Sequence, residues 1–180
     1  MTIYALSSGS GLAGISVIRV SGNLAKKVIL DLTNKELPKP RVASRRKFHK
    51  INKDELIDEG ILLWFPGPNS YTGEDMAEFH VHGSKAVIEA MNLCLSKIDG
   101  CRLAEPGEFT KIAFQNGKIN LLKAESISDL ISSETEMQRK QAIKIMSGKS
   151  SNKFNSLRDR LLKILSNIEA KIDFPDEDLP

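Results

Sequence analysis

The feature that most constrains the fold is an abrupt change in hydrophobic patterning at Glu108. Before this residue, short β-prone runs alternate with breaks rich in Gly, Ser and Pro; after it, apolar residues recur every three or four positions. Short alternating runs indicate strands, whereas steps of three and four indicate helices that bury one face. The sequence therefore predicts an α+β fold, with a mixed β-sheet domain over residues 1–118 followed by an incomplete α-helical bundle over residues 119–180.

Runs rich in β-branched and aromatic residues predict the strands of the first part. The most apolar run, GILLWF at residues 60–65, is predicted to be a central strand, and the basic stretch 41–50 is predicted to be extended. The loop SSGSGLAG lacks a lysine and leads into a strand, which excludes a P-loop there. The other predicted strands are residues 3–6, 14–20, 77–82 and 101–104.

Helical periodicity predicts two helices within the sheet domain and three after it. The first helix has Leu24, Val28, Ile29 and Leu32 on its apolar face. The second has candidate core positions at Val87, Ile88, Met91, Leu93 and Leu95. The later helices are predicted at residues 122–131 and 133–146 and along a final segment with the apolar stripe Phe154, Leu157, Leu161, Ile164, Leu165, Ile168 and Ile172. We expect helices from outside this sequence or from a second subunit to cover that stripe.

Composition leaves several classes of function open and disfavours others. The chain is 41% hydrophobic and 27% charged, which is typical of soluble globular proteins. Its net charge of +3 permits contact with RNA or with an anionic small molecule and proves neither. Cys94 and Cys101 form no CxxC pair, so we expect free thiols and no metal site. No signal peptide or membrane-length apolar run is present, so a cytoplasmic protein without membrane contact is expected.

Several segments, taken in order, resemble the MnmE (TrmE) family of bacterial tRNA-modification GTPases. The two longest blocks are compositionally unusual, and together the segments extend over essentially all 180 residues. The segments are GISVIRVSG (14–22), WFPGPNSYTGED (64–75), EFHVHG (78–83), AEPGEFTKIAFQNGKINLLKAES (104–126) and IDFPDED (172–178).

The resemblance implies a fold, an activity and partners. Members have an N-terminal domain similar to the tetrahydrofolate-binding fold of the glycine-cleavage T-protein, then a helical domain into which a Ras-like GTPase domain is inserted. They act as homodimers with the FAD-dependent partner MnmG (GidA) to add a carboxymethylaminomethyl or aminomethyl group to C5 of the wobble uridine, position 34, of certain tRNAs. The implied one-carbon donor is 5-formyl- or 5,10-methylene-tetrahydrofolate.

This sequence differs from the family pattern by omission. It contains no GxxxxGKS/T loop, no NKxD-type guanine motif and no C-terminal cysteine tail. GTP, Mg²⁺ and K⁺ are therefore expected only through a GTPase domain that these residues lack, and we expect no GTP hydrolysis by them. We expect either a fragment of a longer protein or a truncated gene.

The resemblance implies three folate contacts, at Arg19, Glu78 and Lys118. Arg19 interrupts an apolar strand, and its guanidinium suits the carboxylates of a folate glutamate tail or the carbonyl edge of the pterin. The Glu78 carboxylate can accept hydrogen bonds from a pterin ring N–H and 2-amino group. Lys118 follows the turn at Asn116-Gly117 and would place a cation near the glutamate tail. Each also has a plainer interpretation, as solvated charge on a strand or turn.

Two further features remain open from the sequence. His80 and His82 point to the same face of one strand, where they line a polar pocket wall unless a third ligand makes a metal site. The basic run 41–47 either contacts RNA phosphates or is solvated charge on an edge strand.

Three functions compete at this point. The leading one is a folate-binding, dimerising module of a tRNA wobble-uridine modification enzyme, with no general base or nucleophile of its own. The second is a stand-alone one-carbon transferase related to the T-protein, which the turn into long helices disfavours. The third is a dimerisation scaffold without a ligand.

Overall fold

A computed structural model of the chain describes residues 1–51, 53 and 55–173. The chain divides into two compact units, Met1–Lys118 and the helical part from Ile119 onward. The first is a sheet with helices packed on it, and the second contains helices and no strands among its described residues. The predicted α+β class is therefore confirmed.

The described strands of the first unit form one mixed sheet of six strands in the order β3-β4-β5-β2-β1-β6. All neighbours pair antiparallel except β1 and β6, which run parallel. The run GILLWF belongs to β4, which lies one place in from the edge, whereas β5 and β2 occupy the centre. The strands are β1 Thr2–Leu6, β2 Ala13–Ser21, β3 Ser44–His49, β4 Leu56–Phe65, β5 Met76–Gly83 and β6 Cys101–Leu103.

Two helices, α1 (Ala25–Thr33) and α2 (Lys85–Leu95), cover one face of this sheet. The core between them and the strands is apolar and includes Ile18, Val20, Leu62, Phe79 and Val81 of the sheet. From α1 it takes Val28, Ile29 and Leu32, as the periodicity predicts.

The prediction that Leu93 is a core residue of α2 is wrong. Leu93 is 57% exposed, whereas Met91, Cys94 and Leu95 are buried. Positions 91, 94 and 95 are three and four residues apart and share one face of the helix, and position 93 lies on the opposite face. Cys94, a free cysteine, is therefore the core residue at this point of the helix, where Leu93 was predicted.

The opposite face of the sheet carries polar side chains from its two central strands. Arg19 of β2 lies opposite Glu78 of β5, and the next pairs along are Val17 with His80 and Ser21 with Met76. A third helix, α3 (Glu108–Gln115), follows Gly107, whose φ of 74° favours glycine.

An ion pair connects β6 to the start of α3. Both guanidinium Nη atoms of Arg102 donate to the Glu108 carboxylate, one at 2.8 Å, and the backbone N–H of Glu105 donates to Glu108 Oε2 at 2.8 Å. These bonds, led by those from Arg102, lower the pKa of Glu108 to about 2. The negative charge also stands in the first turn of α3, where the helix dipole stabilises it.

We expect Glu108→Gln to lower the melting temperature of the chain by about 3 °C at pH 7 and by much less near pH 2. Because the folded-state pKa of Glu108 is depressed, the ionised carboxylate stabilises the fold fully above the unfolded value of about 4.5, and this stabilisation is lost as the pH falls through about 2. Thermal melts of both proteins between pH 2 and pH 7 measure the difference. A gap that stays constant over that range would contradict the assigned pKa.

The second unit contains the described helices α4 (Leu121–Ile131), α5 (Glu136–Met146) and α6 (Lys149–Asp173). Helix α5 begins three residues later than predicted because Thr135 is its N-cap, in a capping box with Gln138. The predicted stripe on α6 is exposed, from 43% at Leu157 to 71% at Ile172. Residues 174–178 of the IDFPDED motif lie outside the described residues.

Over the ranges that the structure describes, no helix combines the length and the apolar character that crossing a membrane requires.

Candidate functional site

The centre of the open sheet face is an ion pair between Arg19 and Glu78, two of the three predicted site residues. Arg19 Nε and Nη2 both donate to Glu78 Oε1, at 3.0 and 2.8 Å. The side chains are only 26% and 15% exposed, so both charges are largely removed from water. Their pairing follows from the β2–β5 register, which sets the two residues directly opposite each other.

Two aromatic rings enclose the Arg19 guanidinium. Its Cζ lies 5.5 Å from the ring centroid of Tyr71 and 5.4 Å from that of Phe109. Tyr71 OH in turn shares a 2.9 Å hydrogen bond with Thr110 Oγ1, which connects the loop after β4 to α3. Aromatic faces attract a guanidinium and shield it from water, so Arg19 is held in one orientation.

The loop that carries Tyr71 is anchored to the end of β2 and to the turn after α3. Ser21 Oγ is 2.7 Å from Thr72 Oγ1 and donates to Glu74 Oε2 at 2.9 Å. On the other side, Asn116 Nδ2 donates to the Thr72 carbonyl at 2.7 Å. Since Ser21 and Thr72 are fully buried, these bonds fix the loop in place.

Lys118, the third predicted site residue, lies against this loop and not against the ion pair. A Cβ added at Gly73 would come 3.0 Å from Lys118 Cε, and the φ of 82° at Gly73 itself favours glycine. Lys118 is exposed, and no described polar contact joins it to Arg19 or Glu78. The structure thus brings Arg19 and Glu78 together and brings Lys118 to the loop beside them.

Several polar atoms of the site are left without hydrogen bonds among the described residues. His80 Nε2 is buried and has no such partner, and it lies 3.7 Å from Glu78 Oε2. The hydrogen bonds of Arg19 use Nε and Nη2, and those of Glu78 use Oε1, so Nη1 and Oε2 remain open. A ligand with adjacent donors and acceptors, such as a pterin edge, fits atoms of this kind. Of the two Glu78 oxygens, Oε2 is the one without a described hydrogen bond, since Oε1 already accepts two bonds from Arg19.

The second histidine of the strand has a different environment. Asp58 Oδ1 is 2.8 Å from His82 Nδ1 and accepts from the Glu59 N–H, while Oδ2 accepts from the His82 backbone N–H at 2.7 Å. Burial alone would raise the pKa of Asp58, but these hydrogen bonds keep it below its usual value. Asp58 therefore stays ionised and orients the His82 ring.

An open depression of about 180 Å³ lies beside the two histidines. Its lining is partly apolar and partly polar, and three of its residues, His80, Val81 and His82, come from β5. No cluster of three or more metal-ligating side chains occurs within residues 1–51, 53 and 55–173.

Tyr71, Phe109 and Asp58 are parts of this site that were not predicted from the sequence. Tyr71 lies inside the block WFPGPNSYTGED, so the unusual composition of that loop was a usable signal. Phe109 and Asp58 have no such signal in the sequence, because they contact Arg19 and His82 only in the folded structure.

Comparison with known protein families identifies both parts of the chain. The family model for the N-terminus of the GTP-binding protein TrmE matches residues 2–118, and that for the MnmE helical domain matches residues 121–180. The chain belongs to the MnmE family.

Similar family members come from bacteria and from mitochondria. The tRNA modification GTPase MnmE of Pelagibacter ubique is 74% identical over all 180 residues, which cover 41% of that protein. The MnmE of Parvibaculum lavamentivorans is 45% identical over 179 residues, 41% of its length. The mitochondrial 5-taurinomethyluridine-[tRNA] synthase subunit GTPB3 of Danio rerio is 47% identical over 178 residues, 35% of its length. The chain thus spans about two fifths of the length of these relatives.

Proposed function

We propose that this chain is the folate-binding, dimerising part of a tRNA-modification GTPase that acts with MnmG on the wobble uridine. The observation that carries the proposal is the Arg19–Glu78 pair, partly buried on the sheet face with hydrogen-bonding atoms still open, in a member of the MnmE family. Two of the similar proteins are named tRNA modification GTPases, which supports tRNA as the substrate of the whole protein.

The bound group is a one-carbon tetrahydrofolate, either the 5-formyl or the 5,10-methylene form, and when bound it supplies the carbon of the added group. Arg19 binds a carbonyl or carboxylate of the folate through Nη1, held in place by its two aromatic neighbours. Glu78 accepts a ring or amino N–H at Oε2. Lys118 contributes positive charge for the glutamate tail from the rim of the site. No residue of the chain is assigned as a nucleophile or general base.

The open sheet face favours a homodimer. The depression of about 180 Å³ is lined by none of Arg19, Glu78 and Lys118, and it is smaller than the roughly 300–1,000 Å³ of sites that enclose ligands of this size, so the proposed folate contacts lie on a face that this chain leaves open. A second subunit against the open sheet face would supply the missing walls. GTP hydrolysis, with Mg²⁺ and K⁺, and the flavin chemistry of MnmG belong to protein outside these 180 residues.

Calorimetric titration of the 180-residue chain with 5-formyltetrahydrofolate tests this function. We expect saturable binding near one folate per subunit, weakened about 100-fold in Arg19→Ala because charge-assisted hydrogen bonds are lost. Arg45→Ala is the matched control, since it removes a guanidinium that is 81% exposed on edge strand β3.

The outcomes separate the site from the proposal as a whole. If Arg45→Ala weakened folate binding as much as Arg19→Ala does, the loss would reflect the positive charge of the chain and not this site. If Arg19→Ala bound folate as tightly as the parent, the assignment of the site would be refuted. A chain that binds no folate at all, even as a dimer in light scattering, would leave only a scaffold.

A further inference from the structure

The densest positive charge in the chain lies on edge strand β3 and the residues that flank it. Residues 35–50 contain seven Lys or Arg residues and one carboxylate, a local charge of +6 in a chain whose net charge is +3. The remainder of the chain therefore carries −3. We call the seven cations the basic edge: Lys35, Lys39, Arg41, Arg45, Arg46, Lys47 and Lys50.

Most of the basic edge is exposed and lacks a neutralising partner. Lys35, Lys39 and Lys47 are exposed, and no described carboxylate lies within ion-pair distance of them. Arg45 does pair with Glu59 at 2.7 Å, and Lys50 pairs with Glu55. Such exposed pairs are weak and exchange readily for other anions.

The position of the basic edge in the sheet makes it accessible along its length. Strand β3 is the last in the sheet order, so one side of its backbone faces no other described strand. Arg45 and Lys47 are two residues apart and point to one face, while Arg46 points to the other. Charged side chains on an edge strand prevent edge pairing, but only three of the seven cations lie on β3 itself, so that role leaves the other four unexplained.

The strand register places the basic edge beside the candidate site. Arg45 lies opposite Ile61, Ile61 opposite His80, and His80 opposite Val17, which is two residues from Arg19. Three strand spacings separate β3 from β2, a distance of about 14 Å. With the further two residues along β2, roughly 7 Å, Arg45 lies about 16 Å from Arg19 on the same sheet, so a polyanion on β3 would lie close to the candidate site.

We propose that the basic edge binds the phosphate backbone of the tRNA substrate, an inference that rests on the proposed function. RNA binding requires spaced exposed cations and little apolar surface, which is what these residues provide. Within residues 35–50 the exposed large apolar side chain is Val42, at 49%. A protein interface would need an apolar core and a membrane surface would need groups that insert, so both fit this edge less well.

The test measures binding of the full 180-residue chain to an unmodified tRNA transcript that has uridine in the wobble position. Fluorescence anisotropy gives Kd between 50 and 200 mM NaCl for the parent and for Lys35→Ala/Lys39→Ala/Lys47→Ala. We expect the triple variant to bind at least tenfold more weakly at 100 mM. The slope of log K against log salt should also become shallower by about two to three, one unit for each lost phosphate contact.

The charge-matched control is Lys85→Ala/Lys97→Ala/Lys111→Ala, which removes three exposed lysines elsewhere in the same unit. Equal loss in both triple variants would show that only net charge matters and would overturn the surface. Absence of tRNA binding by the parent would also overturn it. So would a basic-edge variant that keeps its tRNA affinity while losing affinity for phosphatidylglycerol vesicles, since the edge would then bind membranes.

A titration with 5-formyltetrahydrofolate on the same samples keeps the two proposals apart. Folate binding without tRNA binding would leave the proposed function standing and refute the basic edge. If the chain bound tRNA through the basic edge but did not bind folate, the basic edge would stand and the proposed folate site would be refuted.

Discussion

Gly60→Ala is expected to destabilise the sheet unit by about 3 kcal/mol or more, enough to leave much of it unfolded at moderate denaturant concentrations. A Cβ at this position would lie 2.0 Å from the backbone carbonyl oxygen of His80 and 3.2 Å from the Phe48 ring. The first obstacle is backbone of the neighbouring strand, which cannot rotate away as a flexible side chain can. Strands β4 and β5 would have to separate beside the histidines of the candidate site.

Trp64 makes this prediction measurable in the right part of the chain. It is the single tryptophan, it is 3% exposed, and it belongs to the same strand as Gly60. Urea unfolding followed by Trp64 fluorescence therefore reports the unfolding of the unit Met1–Lys118 rather than that of the helical unit after it. Gly14→Ala is the matched control, because a Cβ there would meet nothing within 4 Å and the residue has no positive φ. If both variants unfolded at the parental midpoint, the close approach of β4 to β5 would be wrong.

Local patterns in the sequence were sufficient to find the strands and most core positions. A run of β-branched residues marks β2, the most apolar run marks β4, and steps of three and four place Val28, Ile29 and Leu32 in the core. These signals are local because burial of alternate residues, or of one helical stripe, repeats along the chain itself. The wrong prediction for Leu93 shows the limit of local patterns. Leu93 is the more hydrophobic residue, but Cys94 is the one whose angular position on the helix faces the core.

The order of the strands and the partners within the site could not be predicted in the same way. Arg19 and Glu78 are 59 residues apart, and only the β2–β5 register makes them opposite neighbours. Family resemblance indicated both residues, but it did not indicate that each is the other's counter-ion. The Asp58–His82 pair gave no local signal, because its two strands meet only in the folded sheet.

A double-mutant cycle on Arg19 and Glu78 separates a structural ion pair from a binding site. We expect Glu78→Leu alone to cost about 2 kcal/mol, because it leaves the guanidinium largely desolvated without a counter-ion. Arg19→Met alone leaves the carboxylate in the same situation and should cost a similar amount. The double variant removes both charges and fills the space with apolar atoms, so it should cost clearly less than the sum of the two. Urea unfolding by Trp64 fluorescence measures all four proteins.

Folate affinity should follow a different pattern from stability in the same four proteins. If the open atoms Nη1 and Oε2 contact the ligand, each single variant and the double variant should all bind 5-formyltetrahydrofolate about 100-fold more weakly or worse. The double variant distinguishes a binding role of the ion pair from a structural one, since it would be well folded and yet unable to bind folate. Parent-like affinity in the double variant would show that the pair serves the fold alone. Additive stability losses would show instead that the two charges are solvated and not coupled, because desolvation is what makes a lone partner costly.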